Sequence, residues 1–418
     1  MTQSDMPTVP LVVHLIYRFD CGGMETLLVE RINRMPAASY RHAVVCLSDY
    51  SPAFAQRITR PGVGLHALHK RPGLSPATHL HLWRLLRRLR PAVFHSYNLS
   101  AIEYAPVALL AGVPVRVNGA HGRELGDLDG SNRKHNFLRR LMRPFYHCCY
   151  ANSAAMLAWS RQVVGVRPAR SRLLANGIDT ERFRSRAVAA DETVLRQFDA
   201  DCIVIGTVGR IQDIKDHFGL LAAFVLLRQR APELAPRLRL AIVGDGPLLA
   251  ALRGRVAAAG LADVVWLPGA RTDVPALLRG FDLFAISSLA EGTPGAALEA
   301  MACGLALVGT RVGGIPEVVE EGVTGALVPA GDPIAMAAAL QRYALAPELA
   351  AAHGAAGRER VLRHYSMGAM VSAYQQLYDQ LLHVEGHVGA HVDGHAGVAA
   401  VVAADPAEKN KGIESCAE

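Results

Sequence analysis

The amino-acid sequence predicts an α/β protein made of two domains, each with a parallel sheet flanked by helices. At 418 residues the chain is too long for a single ordinary hydrophobic core. Short strand-like runs alternate with helical patterns over most of the length, which is typical of strand–helix–strand units and parallel sheets. A hydrophobic content of 51% with 19% charged residues favours well-buried sheets and argues against extended disorder.

The first half of the chain provides four candidate strands with helices between them. Each strand is a short apolar run that is followed by glycine, serine or asparagine, where a doubly wound sheet places its ligand loops. The strands are expected at 11–17, 42–48, 92–97 and 115–120, and the helices near 24–35, 76–89 and 100–111. We expect these elements to form a first doubly wound domain over residues 1–185.

The second half repeats the pattern. Its strands are expected at 202–209, 238–244, 264–269, 283–288 and 305–310, and its helices near 215–230, 247–259, 273–279, 294–302 and 332–344. The charged stretch 182–201 has no strand pattern and is the expected hinge before a second domain over 186–364. Helical stretches at 347–363 and 367–383 follow, and the Gly-, Ala- and His-rich residues 385–418 are expected to be disordered.

Composition and charge exclude several classes of protein. The formal charge of +7 with a pI near 9.1 indicates an anionic partner, either lipid headgroups or a phosphorylated substrate. The sequence lacks the signature of a nucleic-acid-binding fold and an uncharged apolar run long enough to span a bilayer. Because "MTQSDMPTVPLVVHLIY" has no basic cluster before its strand-length apolar run, we expect no secretion signal. Seven cysteines without CxxC spacing are expected to be reduced thiols in a cytoplasmic protein.

The segment "LFAISSLAEGTPGAALEAMA" carries two glutamates in small, apolar surroundings. Thr293 is expected to cap a helix with Pro294 at its first position, which places Glu291 in the loop and Glu299 inside the helix. A helix N-terminus favours anions, and Gly292 allows close approach, so a nucleotide diphosphate with its sugars fits between the carboxylates. The alternative is a capped core helix with one solvent-facing glutamate.

A second loop, "GTVGRIQDIKDHFGLL", places Arg210 and Lys215 between a strand and a helix. Two cations beside helix N–H groups suit a pyrophosphate and would neutralise the charge that builds on a departing diphosphate. Taken alone, the same residues also fit a solvated surface loop.

Four further strand-to-helix turns carry candidate residues. Gly22 and Gly23 follow the first strand without forming GxGxxG, a pattern that argues against a nicotinamide-dependent oxidoreductase. His121 follows the strand at 115–120 in a Gly-bracketed loop, although a lone histidine is more often structural. Gly244 in "VGDGPLL" and Glu317 in "VGGIPEVV" lie at the same end of the second sheet.

Together these stretches resemble the family 4 retaining glycosyltransferases of the GT-B fold over about residues 9–384. The resemblance is carried, in the family's order, by Gly22-Gly23, "HGRE", "NGID", "GR…K", "VGDGP", the two glutamates and "GGIPE". It implies two Rossmann-like domains facing across a cleft, with a C-terminal helix at 365–384 crossing back to the N-terminal domain. The stretches "YRFDCGGMET" and "HGRELGDLDGSNRK" are most similar to sugar transferases associated with exosortase and exopolysaccharide systems.

The resemblance also implies a role for each site residue. Arg210 and Lys215 would hold the pyrophosphate of a nucleotide-sugar, expected to be a UDP-sugar. Glu291 would hold the transferred sugar and Glu299 the ribose. His121 would lie by the reacting sugar, and the glycines would approach the phosphates. The implied catalytic residues are His121, Arg210, Lys215 and Glu291, and the implied donor-binding residues are Gly22, Gly23, Arg210, Lys215, Gly244, Glu291, Gly292, Thr293, Glu299 and Glu317.

The implied reaction transfers a sugar to a glycan or polyprenyl-linked acceptor with retention of configuration and without a metal or other cofactor. Asp127 to Asp129 look like the metal site of another glycosyltransferase fold, but we expect a surface or acceptor-loop role for them. Gly295, and "GLAL" in place of the common "GLPV", depart from the family pattern and leave the size of the sugar pocket open. The alternatives are a nucleotide-sugar epimerase of similar fold and a non-catalytic sugar-binding assembly partner.

The segment "RKHNFLRRLMRPF", residues 133–145, combines apolar residues at helical spacing with five cations. This composition suits an interfacial helix on an anionic membrane, so the protein is expected in the cytoplasm, peripheral on the inner face of the membrane. The alternative is a helix packed on its own domain with its arginines directed outward.

Overall fold

The computed structural model describes residues 9–20, 22–71, 73, 75–121, 127, 130–185 and 198–384. Thirteen strands form two separate parallel sheets, one from each half of the chain. The strands are β1 Leu11–Ile16, β2 Arg41–Cys46, β3 Gly64–Ala67, β4 Val93–Tyr97, β5 Val115–Ala120, β6 Cys148–Ala151, β7 Ser171–Leu173, β8 Ile203–Val208, β9 Leu238–Val243, β10 Val265–Gly269, β11 Leu283–Ile286, β12 Ala306–Thr310 and β13 Gly325–Val328.

Fourteen α-helices connect or cover the strands of the described residues. They are α1 Gly23–Arg34, α2 Pro52–Ala55, α3 Pro76–Leu89, α4 Ala105–Leu110, α5 Arg133–Met142, α6 Ala154–Trp159, α7 His217–Arg230, α8 Leu249–Ala258, α9 Val274–Arg279, α10 Gly295–Ala302, α11 Ile315–Val318, α12 Pro333–Leu345, α13 Pro347–His364 and α14 Met367–Val384. Short 3₁₀ turns precede α4 at Leu99–Tyr104 and α7 at Asp213–Lys215.

Both sheets have the doubly wound strand order that the sequence predicts. The first sheet runs β3-β2-β1-β4-β5-β6-β7 and the second β10-β9-β8-β11-β12-β13, and every pairing within them is parallel. The order reverses beside β1 and beside β8, and the crevice outside the carboxyl ends of the strands at such a point is where doubly wound sheets bind ligands.

The central strands are buried on both faces because helices cover each sheet on two sides. In β1, Val12 and Val13 point to opposite faces and belong to two different hydrophobic clusters. In the second sheet, Val204 and Ile205 of β8 divide in the same way, one packing toward α10 and the other toward α7 and α12. This double coverage explains why the strands read as continuous apolar runs in the sequence.

The helix α14 returns to the first domain, which confirms the predicted crossing helix. Its apolar side chains pack in one cluster with Val12, Val93 and Val115 of the first sheet. The turn into α14 is held by Ile178, which exchanges backbone hydrogen bonds of 2.7 and 3.0 Å with Tyr365 and Met367. Gly177 packs closely on this turn, because a Cβ there would lie 3.0 Å from Met367 Cα. The "NGID" segment therefore has a packing role at the crossover.

The sequence missed four strands, β3, β6, β7 and β13, and two helices, α2 and α6. Each missed strand has at most four residues, too few to display an alternating or continuous apolar pattern. The first residues 1–8, the hinge residues 186–197 and the tail 385–418 lie outside the described residues, so the predicted disorder of the tail stays a prediction. Across the described helices, none has both the length and the apolar character that crossing a bilayer requires.

Candidate active site

The carboxyl ends of the two sheets face each other, and two residues of the second domain reach across to the end of β6. The Glu317 carboxylate accepts hydrogen bonds of 2.7 and 3.2 Å from the backbone N–H groups of Ala154 and Ala155, at the start of α6. The Thr293 hydroxyl donates to the carbonyl of Asn152 over 3.2 Å. These contacts place the predicted donor-binding loops of the second domain directly against the first domain.

Lys215 and Glu291, the cation and carboxylate predicted from separate loops, meet at this edge. The Lys215 ammonium group forms an ion pair with the Glu291 carboxylate, and the two side chains are 27% and 11% exposed. The Ser288 hydroxyl donates to the same carboxylate oxygen over 2.7 Å, and the Ser287 hydroxyl donates to the Lys215 carbonyl over 2.8 Å. Two serines at the end of β11 therefore hold both charged groups in place, a role that the sequence did not suggest.

Glu299 lies on α10, just over one turn from its start, and is partly buried. Burial raises the pKa of this carboxyl from 4.5 to about 7, and the positive charge of Arg182 opposes the increase. A carboxyl whose pKa is raised this far is a candidate ligand-binding position.

The predicted N-cap of this helix is wrong. The helix begins at Gly295 with Pro294 in the N-cap position, and no side chain caps it. The Thr293 hydroxyl instead donates to the Asn152 carbonyl in the opposite domain. Thr293 therefore acts between the domains and not within α10.

Glycines bring the loops of the second domain together. Gly313 has φ +51°, and a Cβ there would overlap the Glu291 carbonyl, so the loop before α11 can pass under Glu291 only as glycine. The Gly314 N–H donates to the Gly292 carbonyl over 3.1 Å. Gly244, with φ +149°, similarly abuts the Gly209 carbonyl beside Arg210. These close approaches fix the relative positions of the loops that carry the candidate residues.

The remaining cation and the first glycine pair have open surroundings. Arg210 follows β8, is exposed, and has no hydrogen-bond or ion-pair partner in the part of the chain that the structure describes. Gly22 is the N-cap of α1, and a Cβ there would overlap the Glu25 carboxylate, whereas nothing lies within 4 Å of one built at Gly23. The structure thus leaves room at Gly23 and keeps the Arg210 guanidinium available to an anion.

His121 follows β5 at the edge of the first sheet, as predicted. Its backbone N–H donates to the Asn98 side-chain oxygen over 2.9 Å, and its ring Nε2 lies 2.8 Å from the Tyr150 hydroxyl. The other ring nitrogen, Nδ1, is buried and has no hydrogen-bond partner among the residues that the structure describes. Burial, reinforced by the charge of Arg31, lowers the pKa of His121 to about 3, so the imidazole is neutral at physiological pH. The rest of the "HGRE" motif lies outside the described residues.

Of the two aspartates that look like a metal site, Asp127 and Asp129, the structure describes Asp127, and its contacts give it a structural role. Asp127 is 3% exposed, so of the expected surface or acceptor-loop role the surface location is wrong for this residue, and the acceptor-loop role stays a prediction. Its carboxylate accepts from the Asn132 N–H over 2.8 Å and lies 3.2 Å from His135 Nδ1, which fixes the start of α5. Asp129 lies outside the described residues. Among the described residues, one group with metal-ligand spacing (Asp199, Asp201 and Cys202) lies before β8, at the edge of the sheet opposite the cleft.

The basic segment 133–145 forms α5 and the turn after it. It has features of both a helix packed on its own domain and an interfacial membrane helix. Leu138, Met142 and Phe145 pack on the first domain with Tyr146, as the alternative interpretation expected. Phe137 and Leu141 instead face outward, with 66% and 51% of their surfaces exposed.

Two family models match the chain once its two domains are considered separately. A model described as Glycosyltransferase Family 4 matches residues 21–182, and a model described as Glycosyl transferases group 1 matches residues 202–345. The first match covers the sheet that carries His121, and the second covers the sheet that carries Lys215 and Glu291.

Individual relatives agree with these models. The Bacillus subtilis (strain 168) protein EpsF, which carries the name of a glycosyltransferase, is 29% identical over 70% of this chain and 77% of its own length. A D-inositol 3-phosphate glycosyltransferase of Saccharomonospora viridis is 35% identical over 50% of each chain, so the match spans about half of that relative.

Solved structures share the fold. HepE of Anabaena in complex with UDP superposes with a TM-score of 0.74 at 19% identity over 88% of this chain and 99% of that one. HepE in complex with UDP-glucose gives 0.69 at 20% identity over 90% and 100% of the two chains. Two facing doubly wound domains with a returning C-terminal helix define the GT-B fold, and the two family models identify the chain as a glycosyltransferase of that fold. Within that class, the chain belongs to glycosyltransferase family 4.

Proposed function

We propose that this glycosyltransferase moves a sugar from a UDP-sugar to a glycan or lipid-linked glycan acceptor, with retention of configuration, in exopolysaccharide-type biosynthesis. The observation that carries the proposal is the Lys215–Glu291 pair at the carboxyl edge of the second sheet, directly against the first domain. The UDP and UDP-glucose bound by the HepE structures support the donor class. The likeness to EpsF supports the biosynthetic setting.

Each charged group has a defined task in the proposed reaction. Arg210 and Lys215 neutralise the pyrophosphate, and Lys215 leaves its ion pair with Glu291 when the phosphate offers a stronger partner. Glu291 is then free to accept hydrogen bonds from hydroxyls of the transferred sugar. Glu299 accepts from the ribose, and Gly22, Gly23, Gly244 and Gly292 allow the backbone to approach the donor.

The proposed chemistry relies on charge placement. The acceptor hydroxyl attacks the anomeric carbon on the face from which the diphosphate leaves, and a phosphate oxygen takes the acceptor's proton as the bond to the sugar breaks. Because negative charge builds on the departing diphosphate, the fixed cations stabilise the transition state more than the ground state. Glu291 acts by orienting hydroxyls, in contrast to the paired carboxylates of glycoside hydrolases, which perform nucleophilic and acid–base steps.

A panel of UDP-, GDP- and ADP-sugars tests the donor class. We expect a UDP-sugar to raise the melting temperature most, and UDP release to depend on an added glycan or lipid-linked acceptor. Formation of a new sugar isomer without an acceptor would identify an epimerase instead. Binding without turnover, across acceptors drawn from exopolysaccharide fragments, would identify a sugar-binding assembly partner.

Lys215→Ala tests the observation that carries the proposal. Removing an electrostatic group that acts on the leaving charge should lower kcat about 100-fold or more. The matched control is Arg255→Ala, an exposed cation in the last turn of α8, at the opposite edge of the same sheet. Turnover near that of the wild type in Lys215→Ala would remove the proposed pyrophosphate contact, and circular dichroism establishes that both variants fold.

We also propose that α5 lies on an anionic membrane surface, which would place the enzyme on the inner face of the cytoplasmic membrane. Arg133, Lys134, Phe137, Arg140 and Leu141 are all exposed and fall on one face of the helix. Exposed apolar side chains flanked by cations are the composition of an interfacial helix, with each cation near an anionic surface contributing about 1 kcal/mol.

Flotation with vesicles that contain phosphatidylglycerol tests this surface. The double variant Arg133→Glu/Lys134→Glu should lose most of the binding, while Arg253→Glu/Arg255→Glu on the exposed side of α8 makes the same charge change elsewhere. Undiminished flotation of the α5 variant, or equal losses in both variants, would exclude α5 as the membrane contact.

A further inference from the structure

A chain of buried polar side chains runs through the first domain and ends at His121. We name it the Arg31–His121 chain, and its members come from α1, β4, β6 and α14 as well as the loop after β5. It consists of Arg31, Tyr97, Tyr378, His95, Tyr150 and His121. Arg31 is 2% exposed and lies 4.0 Å from the centre of the Tyr374 ring. Within the described residues no carboxylate forms an ion pair with this guanidinium.

The links of the chain are continuous. The Arg31 guanidinium donates to the Tyr97 hydroxyl. His95 Nδ1 lies 2.7 Å from the Tyr378 hydroxyl and 3.3 Å from that of Tyr97. On the other side of the ring, His95 Nε2 lies 3.0 Å from the Tyr150 hydroxyl, which is also 2.8 Å from His121 Nε2. The Tyr150 hydroxyl thus joins two imidazoles and is also hydrogen-bonded to Tyr374, and it has one proton for these three partners.

The buried cation sets the direction of these hydrogen bonds. A guanidinium has no acceptor, so its field orients the nearby Tyr378 hydroxyl with oxygen toward Arg31 and hydrogen toward His95. The Tyr97 hydroxyl has a nearer acceptor in His14 Nδ1, at 3.0 Å. His95 then accepts at Nδ1 and donates from Nε2 to Tyr150. Tyr374 is hydrogen-bonded to Arg31 as well, so the same orientation makes it a donor to Tyr150. We therefore expect Tyr150 to donate its own proton to His121 Nε2. Burial and Arg31 hold the pKa values of His95 and His121 below the ordinary value, so both rings are neutral and each has one proton to place.

Two observations next to His121 fit this direction. A Cβ at Gly119 would overlap the Tyr150 hydroxyl, so glycine at this position of β5 makes the room for Tyr150 to reach His121. Asn152 donates from its amide nitrogen to the His121 carbonyl over 3.3 Å, and its side-chain oxygen is buried with no partner in the described part of the chain. The unpaired His121 Nδ1 and Asn152 Oδ1 therefore form a donor and an acceptor, which is the complement of a sugar hydroxyl.

We propose that Tyr150 is a positioning residue that fixes His121 in the Nδ1-protonated form, so that His121 Nδ1–H and Asn152 Oδ1 together bind one hydroxyl of the transferred sugar. The assignment of that hydroxyl to the donor sugar rests on the proposed function, whereas the protonation state of His121 does not. Leaving two buried polar atoms unpaired destabilises a fold, and such atoms are retained where a ligand supplies the partner.

Nitrogen-15 NMR of histidine-labelled protein tests the protonation state without any substrate. Long-range proton–nitrogen correlations distinguish the two neutral forms, and His121→Gln identifies the signal. We expect the wild type to carry the proton on Nδ1. Tyr150→Phe should shift His121 toward the Nε2-protonated form, which a neutral imidazole prefers in the absence of a directing partner.

The matched control is Tyr146→Phe. Tyr146 is as deeply buried as Tyr150, and its hydroxyl bonds to Ser96 and the Ile102 carbonyl, away from His121. This variant should leave the His121 signal unchanged. It therefore shows whether a change in Tyr150→Phe comes from the missing hydroxyl at His121 or from a general loss of packing.

Calorimetry with UDP and UDP-glucose as the probes tests the ligand half of the proposal. Tyr150→Phe should weaken UDP-glucose about 3–10-fold while leaving UDP unchanged, because UDP is held by the second domain. A wild-type proton on Nε2, an unchanged His121 signal in Tyr150→Phe, or the same change in Tyr146→Phe would overturn the positioning role. If neither ligand binds, the proposed function fails, and the NMR result still decides the positioning role.

Discussion

The replacement of Glu299 by glutamine should make the enzyme more stable and a weaker binder of its donor. Glu299 is partly buried on α10, and burial raises its pKa from 4.5 to about 7. Glutamine has nearly the same shape and no charge at any pH. The substitution therefore removes the energetic penalty of an ionised carboxylate in this position and keeps the packing of the side chain.

The size of the gain follows from the difference between the folded and unfolded pKa values. Between pH 4.5 and 7 the folded state binds more protons than the unfolded chain. The free energy of unfolding of the wild type therefore falls as the pH rises through this range, and the contribution of Glu299 is constant above pH 7. At 1.36 kcal/mol per pH unit, the full effect is about 3 kcal/mol. Such a change corresponds to about 6–12 °C in melting temperature for a domain of 150–250 residues.

Thermal unfolding of both proteins at pH values from 5 to 8 measures this prediction. The difference in melting temperature between Glu299→Gln and the wild type should be small at pH 5 and grow until pH exceeds about 7. Glu233→Gln, which replaces an exposed carboxyl in a turn of the same domain, is the matched control for the same chemical change without burial. A pH-independent difference for Glu299→Gln would refute the argument that burial of the charge controls its stability effect.

The same variant should bind UDP less tightly. A carboxylate accepts both hydroxyls of a ribose, whereas the glutamine nitrogen cannot accept, and losing a hydrogen bond to a charged group costs about 1.5–3 kcal/mol. We expect the Kd for UDP to rise about tenfold or more at pH 8, measured by calorimetry. In the wild type, affinity should fall as the pH drops below about 7, because protonation of Glu299 removes the ionised acceptor.

Three further experiments test other parts of the site. Glu317→Gln should weaken the contact between the domains by about 1.5–3 kcal/mol, because it replaces a charged acceptor of two N–H groups; small-angle scattering should show a larger radius of gyration, and an unchanged radius would contradict this role. Gly313→Ala should destabilise the second domain more than Gly331→Ala, since both have positive φ but a Cβ overlaps its surroundings only at Gly313; equal melting temperatures would be inconsistent with the packing under Glu291. Transfer should persist in excess EDTA because cationic side chains neutralise the diphosphate; loss of activity with restoration by Mn²⁺ would show that a metal performs this task instead.

The arrangement of the fold was predictable because it depends on local patterns. Parallel strands buried on both faces read as apolar runs, and parallel strands place all their following loops at one edge. This rule was sufficient to predict that Lys215 and Glu291 meet, although they are 76 positions apart in the sequence. The short strands β6 and β7 were not predicted because three or four residues show no periodicity. Since β6 was not predicted, there was no reason in the sequence to single out Tyr150, which follows two cysteines in that strand.

The support of His121 could not be predicted because its partners are distant in sequence and individually unremarkable in type. His95 and Tyr378 are 283 positions apart, and their contact depends on how α14 lies against the first sheet. Arg31 occupies an amphipathic helix in which a basic residue normally faces water. Burial of a cation among aromatic rings is a property of the assembled domain, and no spacing rule within α1 indicates it.

Glu317 and Thr293 join the two halves of the site, although the sequence placed them with the donor. An ionised carboxylate has about four lone-pair positions, and the N–H groups of Ala154 and Ala155 use two of them, so Glu317 can still accept a hydroxyl of a bound sugar. Thr293 reaches the carbonyl of Asn152, whose side chain lies against His121. Contact between the domains therefore brings the loop of Glu291 next to the pair formed by His121 and Asn152. A sugar held by groups from both domains would stabilise the same contact, which couples donor binding to the approach of the domains.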